Sequence, residues 1–120
     1  MASFSDAVPS LASEAVRTTL TGVHTDAPAL LDAVTSDPDT TTKLLTPGAC
    51  FVTLRRDDRL RGCIGTLVAR RSLYTDIVGN ARRAMTDPRL PPVDSTEWEQ
   101  LHVDVSLLSA PTTMDITDFD

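Results

Sequence analysis

Nowhere in the 120 residues does an apolar run approach the roughly 20 residues of a membrane-spanning helix, so a membrane partner is not expected. The opening MASFSDAVPSLASEAV has no positive charge ahead of its apolar residues, which argues against a secretory signal. A cytoplasmic location is the resulting expectation. Cysteine is scarce: Cys50 and Cys63 are too few for a disulfide framework and too far apart for a CxxC redox pair or a zinc knuckle. Aromatic residues make up only 4%, with one Trp and one Tyr, and the pI is about 4.7. Nucleic-acid binding, which relies on a basic face and stacking aromatics, is therefore not expected. Basic residues are absent from 94–120, which hold seven acids.

What remains is an ordinary globular composition, 41% hydrophobic and 23% charged. A chain of this length buries roughly two-thirds of its unfolded surface, enough for one domain over 1–120 without covalent staples. The net charge of −6 is unevenly spread. Residues 1–46 carry six acids and two bases (−4), 47–93 four acids and nine bases (+5), and 94–120 seven acids (−7). The middle block is the only basic one. It is either a solvated set of arginines or a local positive potential suited to an anion or a thiolate.

There is no internal repeat and no low-complexity tract. Leu11, Ala12, Ala15, Val16 and Leu20 share one helical face, predicting a helix over about 10–20 capped by Asp6 or Ser10, with Pro9 in its first turn. Residues 21–47 carry the turn signals TDAP, SDPDTTT and TPG and read as a connector, with a short helix through Ala29–Val34. ACFVTLRR (49–56) reads as a strand and LRGCIGTLV as its hairpin partner across Asp57-Asp58. Leu73, Ile77, Val78, Ala81, Ala84 and Met85 predict a helix from an N-cap at Ser72 to about Met85, leaving Arg82 and Arg83 outside. Gly79 within it points to a close packing contact. DPRLPP ends that helix, Glu97–Leu101 is read as a short turn, and HVDVSLLS (102–109) alternates as a strand with one buried face. Helix, hairpin, helix, strand makes the class α+β, with an antiparallel or mixed sheet and helices packed on it.

A two-residue turn makes paired positions of the hairpin sum to 115. That register puts Cys63 opposite Val52 and Cys50 opposite Gly65, on one face but diagonal, which disfavours a disulfide. Apolar residues on both faces predict a sheet covered on both sides, at least in part. Gly62 and Gly65 bracket Cys63, which is read as space left around the thiol. Cys63 itself is either a small buried hydrophobe or a reactive group.

The hexapeptide LRGCIG, Leu60 to Gly65, stands intact between GACFVTL (48–54) and DPRLPPV (87–93), followed by LHVDVSLLSAP (101–111). In this order these blocks resemble the AMMECR domain family. The resemblance implies an α+β fold of two subdomains around an antiparallel sheet, with the hexapeptide near the groove between them. It covers the N-terminal part of the family domain, so the chain reads as C-terminally incomplete relative to the family. Leu90 departs from the family's usual Phe. The resemblance also implies a modification pathway involving Memo-like and radical SAM proteins.

Two functions are open. In one the protein is a binding or accessory module, with Arg61 and Arg89 as anchors for a protein partner or a small anionic ligand. In the other it is an enzyme acting on an anionic substrate, with Cys63 as nucleophile or covalent carrier, Arg61 lowering its pKa and Gly62 or Gly65 N–H groups serving an oxyanion. His24 and His102 offer no obvious base. No cofactor is expected, and Cys50, Cys63 and the histidines lack metal-ligand spacing. An uncovered sheet edge or apolar face is expected as well, and with it homo-oligomer formation through that edge.

Overall fold

The computed structural model describes residues 3–23 and 25–108. His24, Ser109 and the acidic tail with Asp115, Asp118 and Asp120 lie outside the described residues. Helix α1 (Phe4–Leu20) begins six residues earlier than the periodicity suggests, because Ser3 rather than Asp6 or Ser10 is its cap. The Ser3 hydroxyl accepts the Asp6 N–H at 3.3 Å. Pro9 then sits inside the helix instead of in its first turn. Ala7, Val8, Leu11, Ala12, Ala15 and Val16 form its buried face.

The connector contains two helices. Helix α2 (Ala27–Val34) is capped by Asp26 and buries Leu30 and Leu31. Helix α3 (Pro38–Leu45) replaces the loop read at SDPDTTT: Asp37 accepts the Thr40 N–H, and Pro38 occupies the first turn, where its missing N–H costs nothing. Strand β1 (Pro47–Gly48) pairs with β4 (Arg71–Ser72), and the larger sheet consists of β2 (Cys50–Arg56), β3 (Arg59–Gly65) and β5 (Leu101–Leu107) in the order β3-β2-β5, all antiparallel. Helix α4 (Leu73–Ala84) follows β4, and a 3-10 helix (Ser95–Gln100) leads into β5.

The fold is thus α+β, as the element order predicts. Helices α1 and α4 pack on each other and on one face of the sheet. Cys50, Val52 and Leu54 on that face are fully buried, together with Leu11, Val16, Leu44 and Ile77. The other face carries Thr53, Arg55, Asp104 and Ser106 and is not covered by a helix among the described residues. The expectation of cover on both sides is corrected accordingly: the open face is mainly polar and can meet water.

Two details of α4 differ from expectation. Ser72 stands at the N-cap position, but its hydroxyl meets the Thr75 hydroxyl at 2.8 Å instead of a backbone amide. Arg82 is not merely solvated: it donates to the Thr19 hydroxyl at 3.2 Å and to the Thr25 carbonyl. Gly79 does mark a close contact, the Arg71 guanidinium lying 2.8 Å from where its Cβ would stand.

Candidate functional site

The hairpin determines where each residue of LRGCIG points. Asp57 and Asp58 both adopt positive φ (52° and 63°), the conformation a two-residue turn needs to match the strand twist. Arg56 pairs with Arg59 and Arg55 with Leu60, the expected sum of 115. Leu54 then pairs with Gly62, so Arg61 is an extra residue in β3, a β-bulge. Beyond it the register is shifted by one, and Cys63 pairs with Thr53 and Gly65 with Phe51. The expected partners Val52 and, for Cys50, Gly65 are therefore wrong. A one-residue slip moves a side chain to the other face, so Cys50 faces the helices while Cys63 faces the open side. Both cysteines are free thiols, because they lie on opposite faces of the sheet.

The glycines do not leave room around the thiol. A Cβ on Gly62 would lie 1.8 Å from the Ala84 carbonyl oxygen, so Gly62 admits the last turn of α4 against the strand. A Cβ on Gly65 would lie 2.0 Å from the Phe51 ring, which occupies that space. Both are close-approach glycines.

Cys63 is half-buried, and its Sγ lies 3.4 Å from the Thr53 hydroxyl. Its backbone faces away from β2 on an edge strand, and the DPR segment takes up both polar groups. The Cys63 N–H donates to Asp87 Oδ2 at 3.1 Å, and Arg89 donates to the Cys63 carbonyl at 3.3 Å. Arg89 also binds Asp87 through Nε (3.0 Å) and a terminal nitrogen (2.6 Å). Asp87 is almost fully buried, and the Arg89 guanidinium, then the Arg89 and Cys63 backbone N–H groups, hold its carboxyl well below the usual range. An Asp–Arg pair here does the work of a neighbouring strand, closing the edge of β3 at Cys63.

Arg61 is held elsewhere. Its Nε and a terminal nitrogen form a two-point pair with Glu97 at 2.7 and 2.9 Å, and it also donates to the carbonyls of Pro91 and Pro92. Arg56 reaches the same carboxylate at 3.3 Å, and Glu97 in turn accepts the Asp94 N–H in a capping box. The Arg61 hydrogen bond is the main reason that the nearly buried Glu97 is held down to about 2. Arg56, Arg59, Leu60, Arg61, Pro91 and Pro92 line an open groove of about 800 Å³ beside this pair. Arg89 is not among its lining residues. Each of the two arginines read as anchors already has a carboxylate of its own.

The reading from sequence missed a second buried polar group. Asp76 and Asn80, one turn apart on α4, are fully buried among its apolar residues. Asp76 accepts from the Cys50 N–H (2.9 Å), the Thr66 hydroxyl (2.8 Å) and Arg71 Nε (2.9 Å), and Asn80 donates to the Cys50 carbonyl at 3.0 Å. Burial, then the Asp76 charge, pushes the Cys50 thiol up to about 12. The signal was available: positions 76 and 80 fall on the stripe of Leu73, Ile77 and Ala84. His102, at the start of β5, is exposed and opposite Arg55. No helix among the described residues is long and apolar enough to cross a membrane.

Comparison with known proteins bears on the same elements. A protein of Thermotoga maritima is 46% identical over 74 residues, covering 58% of this chain and 42% of that protein. One of Methanococcoides burtonii is 43% identical over 67 residues, 55% of this chain and 34% of its own length. The crystal structure of the uncharacterized protein PH0010 from Pyrococcus horikoshii superposes with a TM-score of 0.70 at 30% identity, covering 87% of this chain and 50% of that one. This chain thus spans half or less of these relatives' lengths. The sequence profile of the AMMECR1 family matches residues 10–120, and the chain belongs to that family.

Proposed function

We propose that the protein is a binding or accessory module, and that the groove between the hairpin tip, Pro91–Pro92 and the 3-10 helix is where a protein partner docks. The observation that carries this reading is the groove itself: about 800 Å³, open, and walled by arginines, prolines and Leu60 around a rigid Arg61–Glu97 pair. A two-point guanidinium–carboxylate pair with low exposure fixes the wall's shape, and a pre-shaped wall lowers the ordering cost of association. Arg61 acts as a positioning residue, and Gly62 and Gly65 set the strand against α4 and Phe51. Arg89 works through Cys63, by closing the strand edge. The pathway expected from the resemblance makes a Memo-like or radical SAM protein a candidate partner, and a cytoplasmic setting suits two free thiols.

The enzyme reading, with Cys63 as nucleophile or covalent carrier, has less support. The Cys63 thiol meets the Thr53 hydroxyl rather than a base, and Cys63's own N–H is held by Asp87. A photo-crosslinking residue placed at Thr96 in the groove should give a discrete adduct in cells, and one at the exposed Arg83 should not. Equal adducts from both positions, or none from Thr96 alongside a covalent mass on Cys63 of the isolated protein, would favour the enzyme reading.

A further inference from the structure

The groove has a chemical preference that the paired arginines conceal. Arg56 and Arg59 are cross-strand partners directly beside the turn, so two guanidiniums leave the same face of the hairpin at its narrowest point. Like charges in directly opposed positions of a strand pair are destabilising. The surroundings relieve this only in part. Arg56 shares Glu97 with Arg61 at 3.3 Å and comes within 4.0 Å of Asp57, while Arg59, exposed, makes no ion pair among the described residues. Glu97 is already satisfied by two Arg61 nitrogens and the Asp94 N–H. Arg59 is therefore without an ion pair among the described residues and Arg56 has only long ones, side by side in a groove whose lining also carries Asp57 and Asp94.

Resting on the docking reading above, we propose that Arg56 and Arg59, and not Arg61 and Arg89, are the anchors of the groove, and that they grip a carboxylate on an acidic stretch of the partner protein. An acidic side chain between the two guanidiniums replaces a repulsion with two charge-assisted hydrogen bonds. Leu60, Pro91 and Pro92 give the neighbouring wall an apolar surface for the segment's aliphatic carbons. A nucleic-acid strand fits less well, because no aromatic side chain among the described residues lines the groove to stack on its bases.

The test is fluorescence anisotropy with a labelled, N-acetylated hexaglutamate peptide at low ionic strength. The wild-type protein should bind saturably and lose affinity as salt is raised. The double variant R56Q/R59Q should weaken binding at least tenfold, whereas R83Q, which removes an exposed arginine away from the groove, should change it less than twofold. Circular dichroism of each variant confirms that the fold is kept. Unchanged affinity in R56Q/R59Q, an equal loss in R83Q, no saturable binding by wild type, or equally tight binding of a dodecathymidylate overturns the proposal. If the Thr96 crosslink persists in R56Q/R59Q, the anchor assignment fails while the docking reading stands. Loss of the Thr96 crosslink in the wild type is what removes the docking reading itself.

Discussion

Replacing Gly62 by alanine is the sharpest test of how the hexapeptide meets the helix. In an extended strand without obstruction, Gly→Ala restricts the unfolded chain and stabilises by about 0.4–1 kcal/mol. Here the added Cβ falls 1.8 Å from the Ala84 oxygen and 2.8 Å from its carbonyl carbon. An ordinary carbon–oxygen contact is near 3.4 Å, so strand and helix must part by about 1.5 Å. The obstacle is backbone, and it cannot swing aside. Ala81, Ala84 and Met85 on that turn are all buried, and the chain continues directly into the Asp87 clamp. Overpacking costs about 1–3 kcal/mol where side chains can adjust, so G62A should reach about 3 kcal/mol or more. At about 2–8 °C per kcal/mol for a domain of this size, the melting temperature should fall by roughly 10 °C. Urea unfolding followed by Trp98 fluorescence and circular dichroism measures it. G79A is the control: its Cβ meets only the flexible Arg71 guanidinium at 2.8 Å, and alanine favours a helix interior by about 1 kcal/mol. G79A should remain within about 1 kcal/mol of wild type. If G62A is as stable as wild type, or less damaging than G79A, the close approach of strand and helix is wrong.

Three further outcomes follow from the same geometry. Removing the fully buried Asp76 carboxylate in D76A strands the Cys50 N–H and the Thr66 hydroxyl, and should cost about 3 kcal/mol by the same urea assay; a loss below about 1 kcal/mol would contradict the network. Iodoacetamide at pH 8 should label Cys63 in the folded protein and Cys50 only after denaturation, because burial and Asp76 hold the Cys50 thiol up at about 12; peptide mass spectrometry showing early Cys50 labelling would refute this. Glu97 has its carboxyl lowered from an ordinary 4.5 to about 2, so its stabilising contribution is complete above about 4.5 and lost as pH falls towards 2. E97Q should be less stable than wild type at pH 7, with the difference shrinking through that window; a constant difference from pH 7 to pH 2 would show that the Arg61 pair is not its source.

Local chemistry made much of this molecule legible in one dimension. Alternation and turn residues marked the hairpin, its two-residue turn at Asp57-Asp58 and the strand around Val103 and Val105. Helical spacing marked α1 and the buried side of α4, and the order of elements led to the α+β class. These are properties of short segments, set by periodicity and by which backbone conformations a residue tolerates. The Asp37–Pro38 start of α3 was equally local and went unread only because proline and aspartate also signal turns. Tertiary structure decided the rest. A bulge at Arg61 is a property of two strands together, and one extra residue sends Cys63 to the face opposite Cys50. The reasons for Gly62 and Gly65 lie in Ala84 and Phe51, residues brought there by packing. Pairing of Arg61 with Glu97 spans 36 residues and that of Cys63 with Asp87 spans 24, distances at which spacing carries no information. Which arginine remains uncommitted depends on where each carboxylate lands once the chain has folded, and spacing along the chain does not tell this.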